Sequence, residues 1–352
     1  MKKDIFGLDI KELTDAFSAV GVKQFRAKQV YQWLYRKSVF DFDAMHNISK
    51  ADREVLAREF SLLPQMLQVV REQHSSDGNT SKLLLKLTDG NTVETVLMHH
   101  DYGYSVCVSS QVGCDMACAF CASGLTGCVR NLTFQEILAQ VYLFNSRLGR
   151  YNETVSRVVV MGSGEPLLNF DNVLAAFDFM HREDTCHMSY RNMTISTCGI
   201  VPGIRKLQEQ GKPINLAISL HAAVSELRTR LMPVNKGFPL TEAIAAAEAY
   251  ARSSGRQVTY EYILLKDIND SVRDAELLSN ILRFKMAAVN LIPANPVPEK
   301  GFARPAKKVC ADFLYILQKN RINATIRKEM GKDIAAACGQ LRAAVAGEQE
   351  CE

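Results

Sequence analysis

The 352-residue chain has 47% hydrophobic and 23% charged residues and a net charge of only +4, the balance of a globular protein long enough for two domains or one large domain with an extension. So small a net charge does not by itself mark a nucleic-acid binder, and any basic surface must be local. The opening MKKDIFGLDI lacks an apolar stretch after its lysines and no run reaches membrane length, so no signal peptide, no membrane partner and a cytoplasmic location are expected.

Residues 8–63 read as helices: LDIKELTDAFSAVG and KQFRAKQVYQWLYRK carry apolar residues at helical spacing. Within residues 16–40, Lys23, Arg26, Lys28, Arg36 and Lys37 are interleaved with Phe25, Tyr31, Trp33 and Tyr35 and no acid intervenes. Such a mixture can neutralise phosphates and stack on bases, or simply form an amphipathic helix with a packed Trp33. LQVVREQ, SKLLLKLTDG and NTVETVLMH then read as short strands joined by Asp-Gly-Asn turns, hence hairpins.

From about residue 104 strands alternate with helices. SVCVSS, RVVVMG, NMTIST, INLAISL, VTYEYIL and AAVNLIP are the strands, and stretches such as TFQEILAQVYLFNS and PLTEAIAAAEAYARS the helices. Six alternations point to a partial parallel (βα)6-type barrel, of α/β class, with an N-terminal helical and β-hairpin extension. A last helix, a strand in NATIRKE and a cysteine-bearing tail close the chain. The expected divisions are a helical domain over 1–65, a hairpin linker over 66–103, the core barrel over 104–300 and a C-terminal extension over 301–352.

Ten cysteines are many for a cytosolic chain, where disulfides seldom persist, and five of them run from Cys107 through Cys114, Cys118 and Cys121 to Cys128. Cys114, Cys118 and Cys121 spell C-x-x-x-C-x-x-C directly after a strand. Three thiolates so placed can hold an iron–sulfur cube by three irons, leaving the fourth open to a substrate's amino and carboxylate groups. A structural zinc site would want a fourth ligand, usually from a second C-x-x-C pair, and there is none.

With Phe120 before its last cysteine, the motif resembles the radical S-adenosylmethionine (SAM) signature. The strings CVSSQVGCDMACAFC, MGSGEPLLN, AISLHA, NLIPANPVP and DIAAACGQL, in that order, resemble the RlmN/Cfr family of adenosine C-methyltransferases. The resemblance implies one 4Fe–4S cluster on Cys114, Cys118 and Cys121, and two SAM molecules per turnover. It also implies SAM contacts from Gly164, Glu165, Ser196, Ser219, Leu220, His221 and Asn295. Those residue types suit SAM chemically, since glycine admits close backbone approach, a carboxylate accepts from an ammonium, and hydroxyls and amides bind ribose or adenine.

Cys338, among alanines, would ordinarily read as a small buried hydrophobe. The resemblance implies instead that it takes a methyl group from one SAM. A radical made from the second SAM then abstracts hydrogen from that S-methyl group, and the methylene adds to the adenine carbon. Cys107 matches the cysteine that forms a disulfide with Cys338 and frees the RNA. Glu94 matches a candidate acceptor of the ring proton, with Cys107 the alternative, although a glutamate in NTVETV also reads as an outward-facing strand carboxylate. Arg130, Arg327 and Lys328 are further phosphate candidates, while Cys128 and Cys198 receive no role.

The implied substrate is an adenosine of 23S rRNA at the peptidyl transferase centre, methylated at C2. The adenosine 3′ to the anticodon of tRNA is a candidate second substrate. An electron donor such as flavodoxin or ferredoxin and a monomeric state are expected. The rival within the family is Cfr-type C8 methylation, which gives antibiotic resistance, although MGSGEPLLN and NLIPANPVP are closer to the RlmN pattern. A rival of another class is a non-catalytic RNA-binding protein with a structural metal site.

Overall fold

The computed structural model describes residues 2–63, 67–295 and 297–341. Pro296 of the NLIPANPVP string and the terminal Cys351 fall outside that set. Near the N-terminus lie α1 (Ile10–Ala19), α2 (Phe25–Tyr35) and α3 (Lys50–Glu59). A two-residue strand β1 (Lys3–Asp4) pairs in parallel with β2 (Phe60–Ser61), closing this helical unit on itself. Asp9 and Glu12 form a reciprocal cap that starts α1.

Three strands follow, β3 (Leu67–His74), β4 (Thr80–Leu87) and β5 (Thr92–His100), and run antiparallel into β6 (Gly103–Val108). A short antiparallel ribbon comes next, made by β7 (Gln111–Gly113) and β8 (Cys128–Asn131). The expected alternation then unfolds as α4 (Phe134–Leu148), β9 (Val155–Val160), α5 (Phe170–His181), β10 (Met193–Thr197), α6 (Val201–Glu209) and β11 (Asn215–Ser219). It continues with α7 (Ser225–Leu231), α8 (Leu240–Ser254), β12 (Val258–Leu264), α9 (Val272–Leu282), β13 (Ala287–Pro293), α10 (Lys307–Lys319) and β14 (Asn323–Ile326).

All strands from β3 to β14 except the β7–β8 ribbon join one ten-stranded sheet, ordered β14-β13-β12-β11-β10-β9-β6-β5-β4-β3. The run from β6 to β14 is parallel, and the hairpins extend it at one edge. The (βα)6 barrel is thus present and carries a seventh parallel strand, β14, from NATIRKE. Among the described residues β3 and β14 do not pair, so the barrel stays open. No described helix is long and apolar enough to cross a membrane.

The N-terminal helices bury the aromatics that sequence alone offered to RNA. Tyr31 and Tyr35 are 0% exposed. Tyr35 packs on Phe179 of α5 at 4.8 Å and on Tyr142 of α4 at 5.6 Å between ring centroids. Helical spacing puts Ala27, Tyr31 and Tyr35 on one face, four residues apart, and that face is the core face. The stacking expectation for these two rings is therefore corrected. Trp33 is half-buried and donates from Nε1 to Asn47 Oδ1 at 2.6 Å, with Lys37 Nζ 3.6 Å above its ring. Arg26 is held by Asp52 at 2.9 Å. Lys23, Phe25 and Lys28 remain exposed.

The Gly7 N–H donates to the buried Tyr35 hydroxyl at 2.6 Å. Tyr35→Phe leaves that donor dry, and the expected cost is about 1–3 kcal/mol. A lower urea midpoint with an unchanged slope checks this.

Candidate active site

Polar side chains gather where parallel strands end, because the strands point their C-terminal loops at one mouth of the barrel. The cysteine loop is one of these. The β7–β8 ribbon pinches residues 114–127 at its base, where Cys114 N–H donates to the Gly127 carbonyl at 2.9 Å. Gly113 and Gly127 both have positive φ, +75° and +71°. A Cβ on Gly113 would lie 1.8 Å from the Gly127 carbonyl oxygen, so only glycine closes the pinch. Cys128 N–H donates to Asp115 Oδ1 at 2.6 Å, and Ala117 takes a left-handed φ of 49° between the first two cysteines of the motif. Asp115 thereby ties the two ends of the loop together.

Two of the three motif thiols are strongly perturbed. Burial first, then the neighbouring thiols among other influences, push Cys114 up to about 12 and Cys118 higher. A bound cation would draw the protons off these thiols. Among the described residues no three Cys, His, Asp or Glu side chains converge tightly enough to ligate a single ion. A cube makes a different demand, one thiolate per iron. The donor set is all sulfur, on one loop, with glycines at its base, and it fits such a cluster.

Around this loop the ends of β9, β10 and β11 are braced. Glu165 is buried and accepts Leu167 N–H at 3.0 Å and Cys198 N–H at 2.7 Å. Burial raises its pKa while those donors pull it down. Gly164 has φ +106°, and a Cβ there would strike Gln111 at 2.6 Å. Ser196 and Ser219 are half-buried. They share a pleat face with Thr194 and Ala217, which line the barrel lumen. His221 is buried with φ 60°, and its Nδ1 accepts from Ile263 N–H at 3.0 Å. Burial and then Arg228 hold it down to about 3, so it is a neutral ring with its proton on Nε2. Its edge meets Phe120 at 4.7 Å, joining the SLH string to the cysteine loop. Leu220 is buried apolar core.

The lumen holds a cavity of about 390 Å³. Cys338, Asn295, Arg327, Glu261, Met98 and Met161 are among the residues lining it. Cys338 is exposed, and what it is exposed to is this cavity. Its segment reaches the mouth through Ala122 N–H to Gly339 O at 2.8 Å, Ser123 Oγ to Leu341 O at 2.8 Å and Asn295 Nδ2 to Cys338 O at 3.3 Å. Asn295 Oδ1 is buried without a hydrogen-bond partner among the described residues, an acceptor awaiting a donor in that space. Desolvation by the cavity walls around it raises the Cys338 thiol, and Arg327 pulls it back down.

Cys107, on β6, is buried with Val96, Met98, Ile334 and Ala336. Burial, followed by the nearby Cys338, pushes its thiol up to about 12. Both are free thiols in this structure. Glu94 is not outward-facing. It is buried and paired with Lys82 at 2.8 Å, and Lys82 also donates to the Ala335 carbonyl at 3.2 Å. Arg130 is spent on Asp89 at 2.6 Å and on both oxygens of Glu136 at 2.8 and 2.9 Å, so it braces β8 rather than presenting a free cation to phosphate. Arg327 and Lys328 line the cavity instead.

Sequence reasoning missed Arg228, Lys82, Gln111 and Glu261. Lys82 alternates with Thr80, Leu84 and Lys86 on one face of β4, so spacing did not single it out. Gln111 Oε1 accepts Glu165 N–H at 2.8 Å, which no spacing rule announces.

A model of the "Ribosomal RNA large subunit methyltransferase N-terminal domain" matches residues 3–62, and one of the "Radical SAM superfamily" matches 108–278. The chain is 48% identical over 337 residues to a "Probable dual-specificity RNA methyltransferase RlmN" of Symbiobacterium thermophilum, covering 96% of this chain and 90% of that one. A protein of the same description in Lachnoclostridium phytofermentans is 47% identical over 341 residues, 97% of this chain and 94% of that one. The crystal structure of a radical SAM methyltransferase from Sphaerobacter thermophilus superposes with a TM-score of 0.90 at 41% identity, covering 96% of this chain and 99% of that one.

Two outcomes are expected from this geometry. Gly113→Ala opens the pinch and should prevent iron uptake on anaerobic reconstitution while circular dichroism stays native; full iron content contradicts it. In apo-protein, iodoacetamide with peptide mapping should label Cys338 before Cys107. Because both thiols titrate high, labelling should speed up as pH rises, and Arg327→Met should slow it at Cys338 by removing the charge that favours the thiolate.

Proposed function

This chain belongs to the RlmN family of RNA methyltransferases within the radical SAM superfamily, and from that premise we propose that it methylates C2 of an adenosine in 23S rRNA and the adenosine 3′ to the anticodon in tRNA. The observation that carries the reading is Cys338 opening into the barrel lumen, close enough to Cys107 to raise its pKa.

When bound on Cys114, Cys118 and Cys121, a 4Fe–4S cluster supplies the electron that cleaves SAM to a hydrogen-abstracting radical. Gly164 lets backbone approach the methionine moiety, Glu165 offers its remaining lone pairs to the ammonium, and the Ser196 and Ser219 hydroxyls serve carboxylate or ribose. Leu220 and His221 shape that wall, and Asn295 Oδ1 is free to accept from the adenine amino group or a ribose hydroxyl.

Cys338 is the methyl carrier. Its sulfur displaces the methyl group from one SAM, and Arg327 favours the thiolate that this requires. After hydrogen abstraction the sulfur-bound methylene radical adds to the adenine carbon, joining RNA to protein, and the unpaired electron of the adduct would return to the oxidised cluster as the ring proton leaves. Glu94 is assigned the ring proton. It shares a strand face with Val96 and Met98, and Lys82 fixes its carboxylate. The Cys107 thiolate then attacks the Cys338 sulfur to form a disulfide, the electron pair of the breaking carbon–sulfur bond stays on the methylene carbon, and a proton from solvent completes the methyl group as the RNA leaves. Exposed Lys23, Phe25 and Lys28 are assigned to RNA phosphates and an unpaired base. A flavodoxin- or ferredoxin-type protein is the assigned electron donor.

Cys338→Ala should abolish methyl transfer, whereas Cys107→Ala should stall with RNA covalently attached, seen as a retarded band. Normal turnover by either variant contradicts these roles. The position of attack is read with a ribosomal RNA fragment deuterated at C2 or at C8 of the target adenosine. Loss of the C2 label with C8 retained supports the reading; the opposite pattern identifies a C8 methylase.

A further inference from the structure

Arg228, on α7, is 0% exposed. Its Nη2 donates to the carbonyls of Cys198 at 2.6 Å and Ser219 at 3.3 Å, its Nε to that of Leu220 at 3.2 Å, and its Nη1 to Asn235 Oδ1 at 2.9 Å. Every one of these partners is neutral. Among the described residues the ionisable groups that act on its charge are Cys198 and Cys118, and no carboxylate is among them. A buried cation without a carboxylate partner is expensive, and neutral donors could brace the same carbonyls without that cost. The charge itself therefore needs a reason.

The cysteine loop supplies one. Ala119 N–H, next to Cys118, donates at 2.8 Å to the carbonyl of Leu231, one turn along the helix of Arg228. Phe120 lies against His221, whose neighbour Leu220 is an Arg228 acceptor. The guanidinium is thus fixed behind the loop, on the protein side.

We propose that Arg228 is the built-in counter-charge of the iron–sulfur cluster, favouring its reduced state; this rests on the reading that Cys114, Cys118 and Cys121 hold that cluster. A cube on three thiolates is already anionic before it accepts an electron. In a buried site of low dielectric, one more negative charge is disfavoured unless a cation stands near, and cluster potentials respond to such charges. Arg228 touches no substrate and acts through the cluster alone. Its hydrogen bonds hold the charge where the field is needed.

The test is a potentiometric titration of the reconstituted holoenzyme without SAM, followed by electron paramagnetic resonance, with iron content and melting temperature measured alongside. Arg228→Gln should disfavour reduction at least tenfold, about 59 mV more negative for a one-electron couple. Arg228→Lys keeps the charge and should stay within about threefold of wild type on the same scale. Both lose the guanidinium fork, so a purely structural role would move them together, and that result overturns the proposal. Asn235→Asp keeps Arg228 and sets a carboxylate against it, so it should also make reduction harder. If Arg228→Gln fails to fold, an iron-loaded Asn235→Asp with the wild-type potential overturns the proposal. Wild-type protein that takes up no cluster is a separate failure, that of the cysteine assignment itself.

Discussion

Two hydrogen bonds from the far end of the cysteine loop, Ala122 N–H to Gly339 O and Ser123 Oγ to Leu341 O, decide where Cys338 can be. The chain has left the barrel at β14 by then, and residues 331–341 have little apolar surface of their own. Ile334, Ala336 and Leu341 bury against Val96, Met98 and Cys107, and Asp333 accepts from Ser76 N–H at 2.7 Å. A segment held by a few polar contacts and a small apolar patch opens more readily than the core strands do. That suits a residue that must meet two different molecules of SAM and then an RNA base.

The same contacts couple the ends of the reaction. Lys82 joins Glu94 to Ala335, so the carboxylate assigned to the proton sits on the hairpin that also steadies the Cys338 segment. Glu165 and Arg228 meet at one residue, Cys198, which donates its N–H to the first and offers its carbonyl to the second. That junction ties the ends of β9, β10 and β11 together. Placement explains a cysteine for which sequence offered no role: its N–H and its thiol both serve Glu165, and its carbonyl serves Arg228.

Short apolar runs and the helical spacing of apolar residues made the strands and helices legible from the sequence, because burial on both faces of a parallel sheet leaves near-continuous apolar strands. The cysteine spacing and the strand-end motifs were legible for the same reason that they work, as short-range chemistry on single loops. Contacts between distant segments were not. Glu94 also read as a solvated strand carboxylate, and what decides otherwise is Lys82, which reaches it diagonally across the β4–β5 ladder. Basic residues interleaved with aromatics on α2 spoke for RNA, yet the i, i+4 set of Ala27, Tyr31 and Tyr35 faces α4 and α5 and leaves Phe25, at 55%, as the exposed ring of that helix. Arg228 carried no sequence signal at all, since a buried cation is recognisable only by what surrounds it.

The central claim is that the methyl group passes through Cys338 before it reaches RNA. Holoenzyme can be incubated with SAM bearing a deuterated methyl group, first without and then with RNA, and its peptides read by mass spectrometry. The account predicts one deuterated methyl on the Cys338 peptide before RNA is added, and deuterium in the adenine afterwards. Deuterium reaching the adenine while the Cys338 peptide remains unlabelled throughout would contradict it.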